Sequence, residues 1–463
     1  MKNNPQASLA LAAPLLLAAS FWFRADVQGE ASFVPAVFKQ AQEEEPTGDT
    51  ARAAAQAKLE RLVADISVDV ADLRELEWKH PVKATLADRD TVRRYLRERL
   101  LAMDSPEELA RTEFAAQLLG LMPAEKSLEE LMVSFLDEQA GGFYDPLSKG
   151  FFLMEGVEGA LAESTIAHEL VHALEDQHFD LEKMLVARKD DSDSAAALHA
   201  VMEGGALAIQ QIWMQENFSP DQFVEVMQAS QSQSEGLFAT PEFLWKPTMA
   251  SYMVGLEFLS SSEGKAAGLG SIDPEILDAA YLNPPRSTEQ LLHPELYWDE
   301  AQREAPADLQ LELNPAAGYR AVFQDSFGEI SLGILVDPKR DQQSGTPSPM
   351  DFLSMKFTST AVTGWGADRI VVFEHESGPE APRVVMLITR WDDEAEALEF
   401  AGALGQVLPQ IQASARLLGH AEHGGASWSR RGTDVTLVVF EDASQLPDGY
   451  EGWAKARSAE LPR

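Results

Sequence analysis

Thr165-Ile166-Ala167-His168-Glu169-Leu170-Val171-His172-Ala173-Leu174 reads as one helical run whose chemistry is concentrated in His168, Glu169 and His172. Ile166, Leu170, Val171, Ala173 and Leu174 leave no charged face, so this helix is expected inside the molecule. Residues four apart on a helix lie about 40° from each other around the axis, which lets both imidazoles reach one metal ion from the same side. Glu169 is offset from that shared direction. It can hydrogen-bond a water at the metal without taking a coordination position, the arrangement a general base needs.

Working outward, helix signals cover residues 162–187, 192–216 and roughly 248–262, and end near Pro284-Pro285. On the N-terminal side, the short apolar runs Gly142-Phe143-Tyr144 and Phe151-Phe152-Leu153-Met154 flank Asp145-Pro146-Leu147-Ser148-Lys149-Gly150, which is turn chemistry, so a β-hairpin is expected there. Between Asp49 and about Asp137 the apolar residues recur at three and four, as in Leu59, Leu62, Val63, Ile66 and Val70, then Val92, Leu96 and Leu100; this reads as a series of amphipathic helices. A composition break spans Asp337 to Pro349. Strand-like runs follow at Arg369–Phe373 and Val384–Trp391, then a helix over about Asp393–Leu418 and a strand at Val435–Phe440, a ββαβ-like module. The expected fold is therefore α+β and mostly helical, with a main domain over 51–340 that carries a small active-site sheet, and a small α+β module over 350–463.

The 463 residues include 75 Asp plus Glu against 37 Lys plus Arg, a net charge of −38 that repels phosphate backbones and argues against nucleic-acid partners. There is no cysteine, so disulfides, thiolate zinc sites, iron–sulfur clusters and a thiol nucleophile are excluded, and a metal must be held by His, Asp or Glu. The apolar run from Ala7 to Phe23, behind Lys2 and ahead of Arg24, reads as a signal peptide or N-terminal membrane anchor over 1–24. It is short for a spanning helix of about 20 residues. Ala18-Ala19-Ser20 offers a cleavage site. Either form directs the chain out of the cytoplasm. Residues 25–50, with Glu43-Glu44-Glu45-Pro46, read as a solvated linker.

A catalytic zinc site takes three protein ligands and keeps a position open for water. Two residues compete for the third place. His178 follows His172 by six residues, the spacing used by metzincins, but those proteins reverse the chain at a glycine where this sequence has Glu175. In an unbroken helix His178 would point about 120° away from His172 and lie about 9 Å further along the axis. Glu203 lies in Val201-Met202-Glu203-Gly204-Gly205-Ala206-Leu207, where two helix-interior glycines, costing about 1 kcal/mol each relative to alanine, suggest that another backbone or the metal approaches closely. His199, four residues earlier, could share that face.

His-Glu-Leu-Val-His-Ala-Leu-Glu-Asp-Gln-His-Phe-Asp-Leu from His168, then Met202-Glu203-Gly204-Gly205-Ala206, then the segment from Ala279 to Tyr297 together resemble a group of largely uncharacterised bacterial and archaeal zinc-metallopeptidase-like proteins of the gluzincin type, related in logic to thermolysin. The likeness covers roughly residues 130–300, and Gly364-Trp365-Gly366-Ala367-Asp368-Arg369 is similar to a downstream segment of the same proteins. It implies zinc held by His168, His172 and Glu203, with Glu169 as base. Many relatives carry an aspartate where this chain has Gly205. In such enzymes an edge strand preceding the metal helix pairs with an extended peptide, which assigns the hairpin Phe143–Met154 that role. Ser251 to Phe258 resembles the small-residue helix behind the active site. Donors for a developing oxyanion are expected at His293 and Tyr281, with Tyr297 and Arg286 behind them.

The expected function is zinc-dependent hydrolysis of a peptide or protein substrate, with Glu169 taking a proton from water and passing it to the leaving amine. Two rivals stand beside it: an exported partner-binding protein whose metal site is structural or vestigial, and a zinc hydrolase of a non-peptide amide. Oligomeric state and cleavage specificity are not legible in the sequence.

Overall fold

The computed structural model describes residues 49–456 apart from 104, 140, 238–239, 263–271, 341–354, 379 and 420–421. The expected signal or anchor over 1–24 and nearly all of the expected linker lie outside the described residues, as does most of the composition break at 337–349. The fold is α+β and mostly helical. Among the described residues no helix is long and apolar enough to cross a membrane.

The chain opens with α1 (Asp49–Arg74), whose Leu59, Val63, Ile66 and Val70 are buried at the three-and-four spacing read from the sequence. The stretch expected to be wholly helical then contains a strand, β1 (Lys83–Ala87), before α2 (Arg89–Met103), α3 (Pro106–Leu118) and α4 (Leu128–Gln139). The hairpin forms as expected from β2 (Gly142–Asp145) and β3 (Gly150–Met154). Asp145 closes its turn by accepting the amides of Leu147 and Ser148, and Lys149 takes a left-handed φ of 54°. Strand β1 pairs parallel to β3 and β2 pairs antiparallel on its other side, so β2 is an edge of this small sheet.

The body continues with α5 (Gly159–Phe179), α6 (Leu181–Val186), α7 (Ser192–Asn217), α8 (Pro220–Leu237) and α9 (Glu242–Ser261), followed by the short α10 (Pro274–Leu282), α11 (Thr288–Leu292) and α12 (Glu295–Trp298). The helix expected over 162–187 is broken at Asp180, whose φ of 58° ends α5 and begins α6. Helices α7 and α9 touch through glycine. A Cβ on Gly204 would come 2.3 Å from the carbonyl carbon of Gly255, and one on Gly255 would come 2.0 Å from the carbonyl oxygen of Ala200. No side chain fits between the two backbones there, which explains the glycines that are otherwise costly in a helix interior.

The remaining elements are β4 (Leu311–Leu313), β5 (Tyr319–Asp325), α13 (Gly328–Leu335), β6 (Trp365–His375), β7 (Val384–Trp391), α14 (Glu394–Leu418), β8 (Gly425–Arg431), β9 (Asp434–Phe440) and β10 (Ala454–Ala456). An antiparallel sheet in the order β5-β6-β7-β9-β8 replaces the simpler ββαβ expected. Strand β7 runs through its middle. Val385 and Leu387 join the main core on one face, while Val384, Met386 and Ile388 pack with Trp453 and Phe373 on the other, which is why this strand reads as a continuous apolar run. The break at 337–349 does not mark where this unit starts, because Tyr319–Asp325 already pairs with β6.

Candidate metal centre

Helix α5 brings His168, Glu169 and His172 into the core, and α7 crosses it to deliver Glu203. His168, Glu169 and Glu203 are 0% exposed and His172 is 3% exposed. The Nε2 atoms of His168 and His172 are 3.1 Å apart, and Oε2 of Glu203 lies 3.2 Å from the first and 3.6 Å from the second. Tetrahedral coordination with bonds of about 2.0 to 2.1 Å sets ligand atoms about 3.3 to 3.4 Å apart, and the three observed separations bracket that value. Among the described residues this is the group of His, Asp and Glu side chains that could hold a metal ion.

The surrounding polar atoms fit a cation as well. Oε1 of Glu169, Oε1 of Glu203 and Nε2 of His199 are all buried beside the cluster without a hydrogen-bond partner. Such atoms are rare in a core, and their concentration around one point marks a site shaped for something other than packing. Electrostatics agree. Burial alone would lower the His172 imidazole, yet the Glu203 carboxylate pushes it up to about 9. Burial would raise Glu203, but the two imidazoles hold it well below the usual carboxylate range. The cluster thus attracts positive charge, and two neutral imidazoles with one carboxylate are a donor set suited to a divalent ion.

Glu169 is held from the edge strand. Its Oε2 accepts the amide of Tyr144 at 2.7 Å. The Tyr144 hydroxyl in turn donates to Asp176 at 2.6 Å, and Lys149 donates to the same oxygen at 2.8 Å. Asp176 lies two turns beyond Glu169 on α5, so one strand residue is fastened to α5 at both its backbone and its side chain. Burial pushes the Glu169 carboxyl up to about 8, against the pull of His172.

The other sequence-predicted residues are engaged elsewhere. His178 meets the carbonyl of Glu77 at 2.8 Å. The Tyr281 hydroxyl donates to Glu175, which also accepts from the fully buried Arg74 at 2.7 Å, while Arg74 reaches Asp278 at 2.8 Å. His293 pairs with Glu329 of α13 at 3.1 Å. The Tyr297 hydroxyl donates to the carbonyl of Asn283, and Arg286 is exposed, its backbone amide donating to Gln290 at 2.7 Å. A residue that the sequence placed only in the helix packing behind the site touches the cluster directly. Tyr252 of α9, 1% exposed, stacks on the His168 ring at 6.0 Å between centroids and hydrogen-bonds Glu203. The available signal was Gly255, one turn away, where α9 meets α7. His199 also faces Glu203, with Nε2 3.5 Å from Oε1.

A family model described as a domain of unknown function (DUF8575) matches residues 317–450, the five-stranded unit from β5 to β9. The metal-site helices lie outside that match. No curated protein and no solved structure matches the chain.

Proposed function

We propose that this protein is a zinc-dependent hydrolase of peptide bonds built on a gluzincin-like helical body. The observation that carries this reading is the convergence of His168, His172 and Glu203 at tetrahedral ligand spacing, with Glu169 in the same helix. A bound zinc would supply Lewis acidity, lowering the pKa of water and polarising a scissile carbonyl. Glu169 acts as general base: the Tyr144 amide fixes Oε2, and the unpartnered Oε1 takes the proton and returns it to the leaving amine. Strand β2, the sheet edge beside Glu169, is the element along which an extended peptide would lie, with its four residues buried and its Tyr144 amide already spent on Glu169. The apolar run over 7–23 supports export, so the substrate is proposed to lie outside the cytoplasm.

A second reading rests on burial. With His168, Glu169 and Glu203 fully buried, a closed metal site that braces the helical core is also consistent with the geometry. One comparison separates the readings. Wild type and Glu169→Gln are assayed for zinc content and for cleavage of a diverse peptide mixture and of non-peptide amides. Equal zinc with cleavage lower by about 10² to 10⁴ in the variant is expected. Equal cleavage by both would refute the mechanism. Zinc without hydrolysis in either would favour the structural reading, and cleavage of non-peptide amides alone would redirect the substrate.

A further inference from the structure

We infer that His199 and Tyr252 hold the Glu203 carboxylate at its two ends, His199 facing Oε1 and Tyr252 bonding Oε2, and so aim Oε2 at a metal cation, an inference that rests on the metal reading above. Helix α7 places His199 and Glu203 four residues apart on one face, repeating on this helix the spacing of His168 and His172 on α5. Oε2 of Glu203 turns toward those two imidazoles, at 3.2 and 3.6 Å. Oε1 turns the other way, 3.5 Å from Nε2 of His199. Both of these atoms are buried and without a hydrogen-bond partner. Each is the complement of the other: an imidazole N–H on Nε2 donates to Oε1 once the carboxylate is drawn to a cation.

Tyr252 approaches from α9. Its phenol hydrogen-bonds Glu203, at Oε2 because Oε1 has no partner, and its ring lies over the His168 imidazole at an interplanar angle of 30°. This contact depends on the glycine-to-glycine approach of α7 and α9, since Gly255 is three residues from Tyr252 and Gly204 adjoins Glu203. A carboxylate has four lone-pair directions and can bind an ion through one oxygen or both. With His199 facing the far oxygen and Tyr252 bonding the near one, the carboxylate cannot swing round, and the near oxygen keeps a lone-pair direction for the ion. His199 and Tyr252 are thus positioning residues, acting through Glu203 and touching no substrate.

The test measures Zn2+ affinity of the full chain by competition with a chromogenic chelator, and the visible spectrum of the Co2+-loaded protein. Tyr252→Phe and His199→Leu should each weaken Zn2+ binding by about 10- to 100-fold, the usual cost of losing a group that orients a ligand. Both should shift the Co2+ bands. His199→Gln, which keeps an N–H donor of similar reach, should recover most of the affinity. Thermal unfolding of the metal-free Tyr252→Phe and His199→Gln proteins checks that both fold like wild type. Wild-type affinity and Co2+ spectrum in Tyr252→Phe and His199→Leu would overturn this hold on Glu203 while leaving the metal site standing. Equal loss in His199→Gln and His199→Leu would reduce His199 to packing and overturn its part. A wild-type protein that binds neither ion would remove the metal reading itself.

Discussion

At the scale of single residues, the four groups at the centre differ in how far their roles follow from local geometry. His168 and His172 are brought together by helix periodicity alone, because four residues on a helix return a side chain to the same face, and Glu169 is offset from them by the same geometry. Glu203 is not: it reaches the cluster because α7 crosses α5, a long-range event. The expected consequence is that Glu203→Gln weakens zinc binding strongly while His178→Ala, whose ring is spent on the carbonyl of Glu77, leaves it nearly unchanged. Metal titration of the two variants checks this, and the reverse ranking would move the third ligand to His178. Glu175 shows why the competing geometry fails. The position at which the chain would have to reverse is instead a helical residue locked to Arg74 and Tyr281 in a fully buried network. Tyr252 was illegible for a related reason. The resemblance of Ser251 to Phe258 put this helix behind the site, and Gly255 hints that two backbones meet there, but nothing in Ser251-Tyr252-Met253-Val254 distinguishes a core tyrosine from one that touches Glu203.

At the scale of elements, the hairpin and the helix pair each do more than fill space. Tyr144 fastens β2 to α5 through Glu169 and Asp176, so removing its hydroxyl should loosen the strand without touching a metal donor. Tyr144→Phe is expected to retain zinc and to lose several-fold in peptide turnover; unchanged turnover in a steady-state assay would show that the side-chain anchor is dispensable. Gly255→Ala addresses the other contact. Its Cβ would fall 2.0 Å from the carbonyl oxygen of Ala200, so the helices must part, and such overpacking costs about 1 to 3 kcal/mol. Denaturant unfolding should show that loss together with weaker zinc binding, because Tyr252 moves with α9. The strong elements were readable where one physical signal dominates: the buried strand β7 from its apolar run, and α14 as a helix read over about Asp393–Leu418. Strands β1 and β8 were not. Lys-Ala-Thr-Leu-Ala and Gly-Ala-Ser-Trp-Ser-Arg-Arg carry little alternation, and both lie at sheet edges, where pairing on one side suffices to form them.

At the scale of the whole molecule, the five-stranded unit is joined to α7, the helix that carries Glu203, by acids. Asp325 accepts from the amide and hydroxyl of Ser192 at the start of α7, and Asp193, one residue on, accepts from the amide of Thr288 at 3.0 Å. Asp368 of β6 accepts the amides of Phe327 and Gly328. In the same seam lies Glu289 of α11. Burial, then the carboxylates of Glu329, Asp392, Glu304 and Asp193, push it up to about 9. A carboxyl raised in the folded state binds its proton more tightly there than in the unfolded chain. Its contribution is fully present below the unfolded value near 4.5 and is lost as pH rises through about 9. Asp368 and Asp392, both raised to about 6, act in the same direction, as does His293, which is raised by its bond to Glu329. Stability should therefore fall between about pH 5 and pH 9, in a chain whose charge of −38 adds general repulsion. Glu289→Gln isolates the seam from that background, since it cannot ionise. Each tenfold preference for the neutral form is about 1.4 kcal/mol, so the variant should exceed wild type by roughly 2 to 4 kcal/mol at pH 8 and match it near pH 5. Thermal unfolding of both proteins across this range provides the measurement, and parallel curves from pH 5 to pH 9 would show that Glu289 is ionised in the folded seam and that the acids there are neutralised by other means.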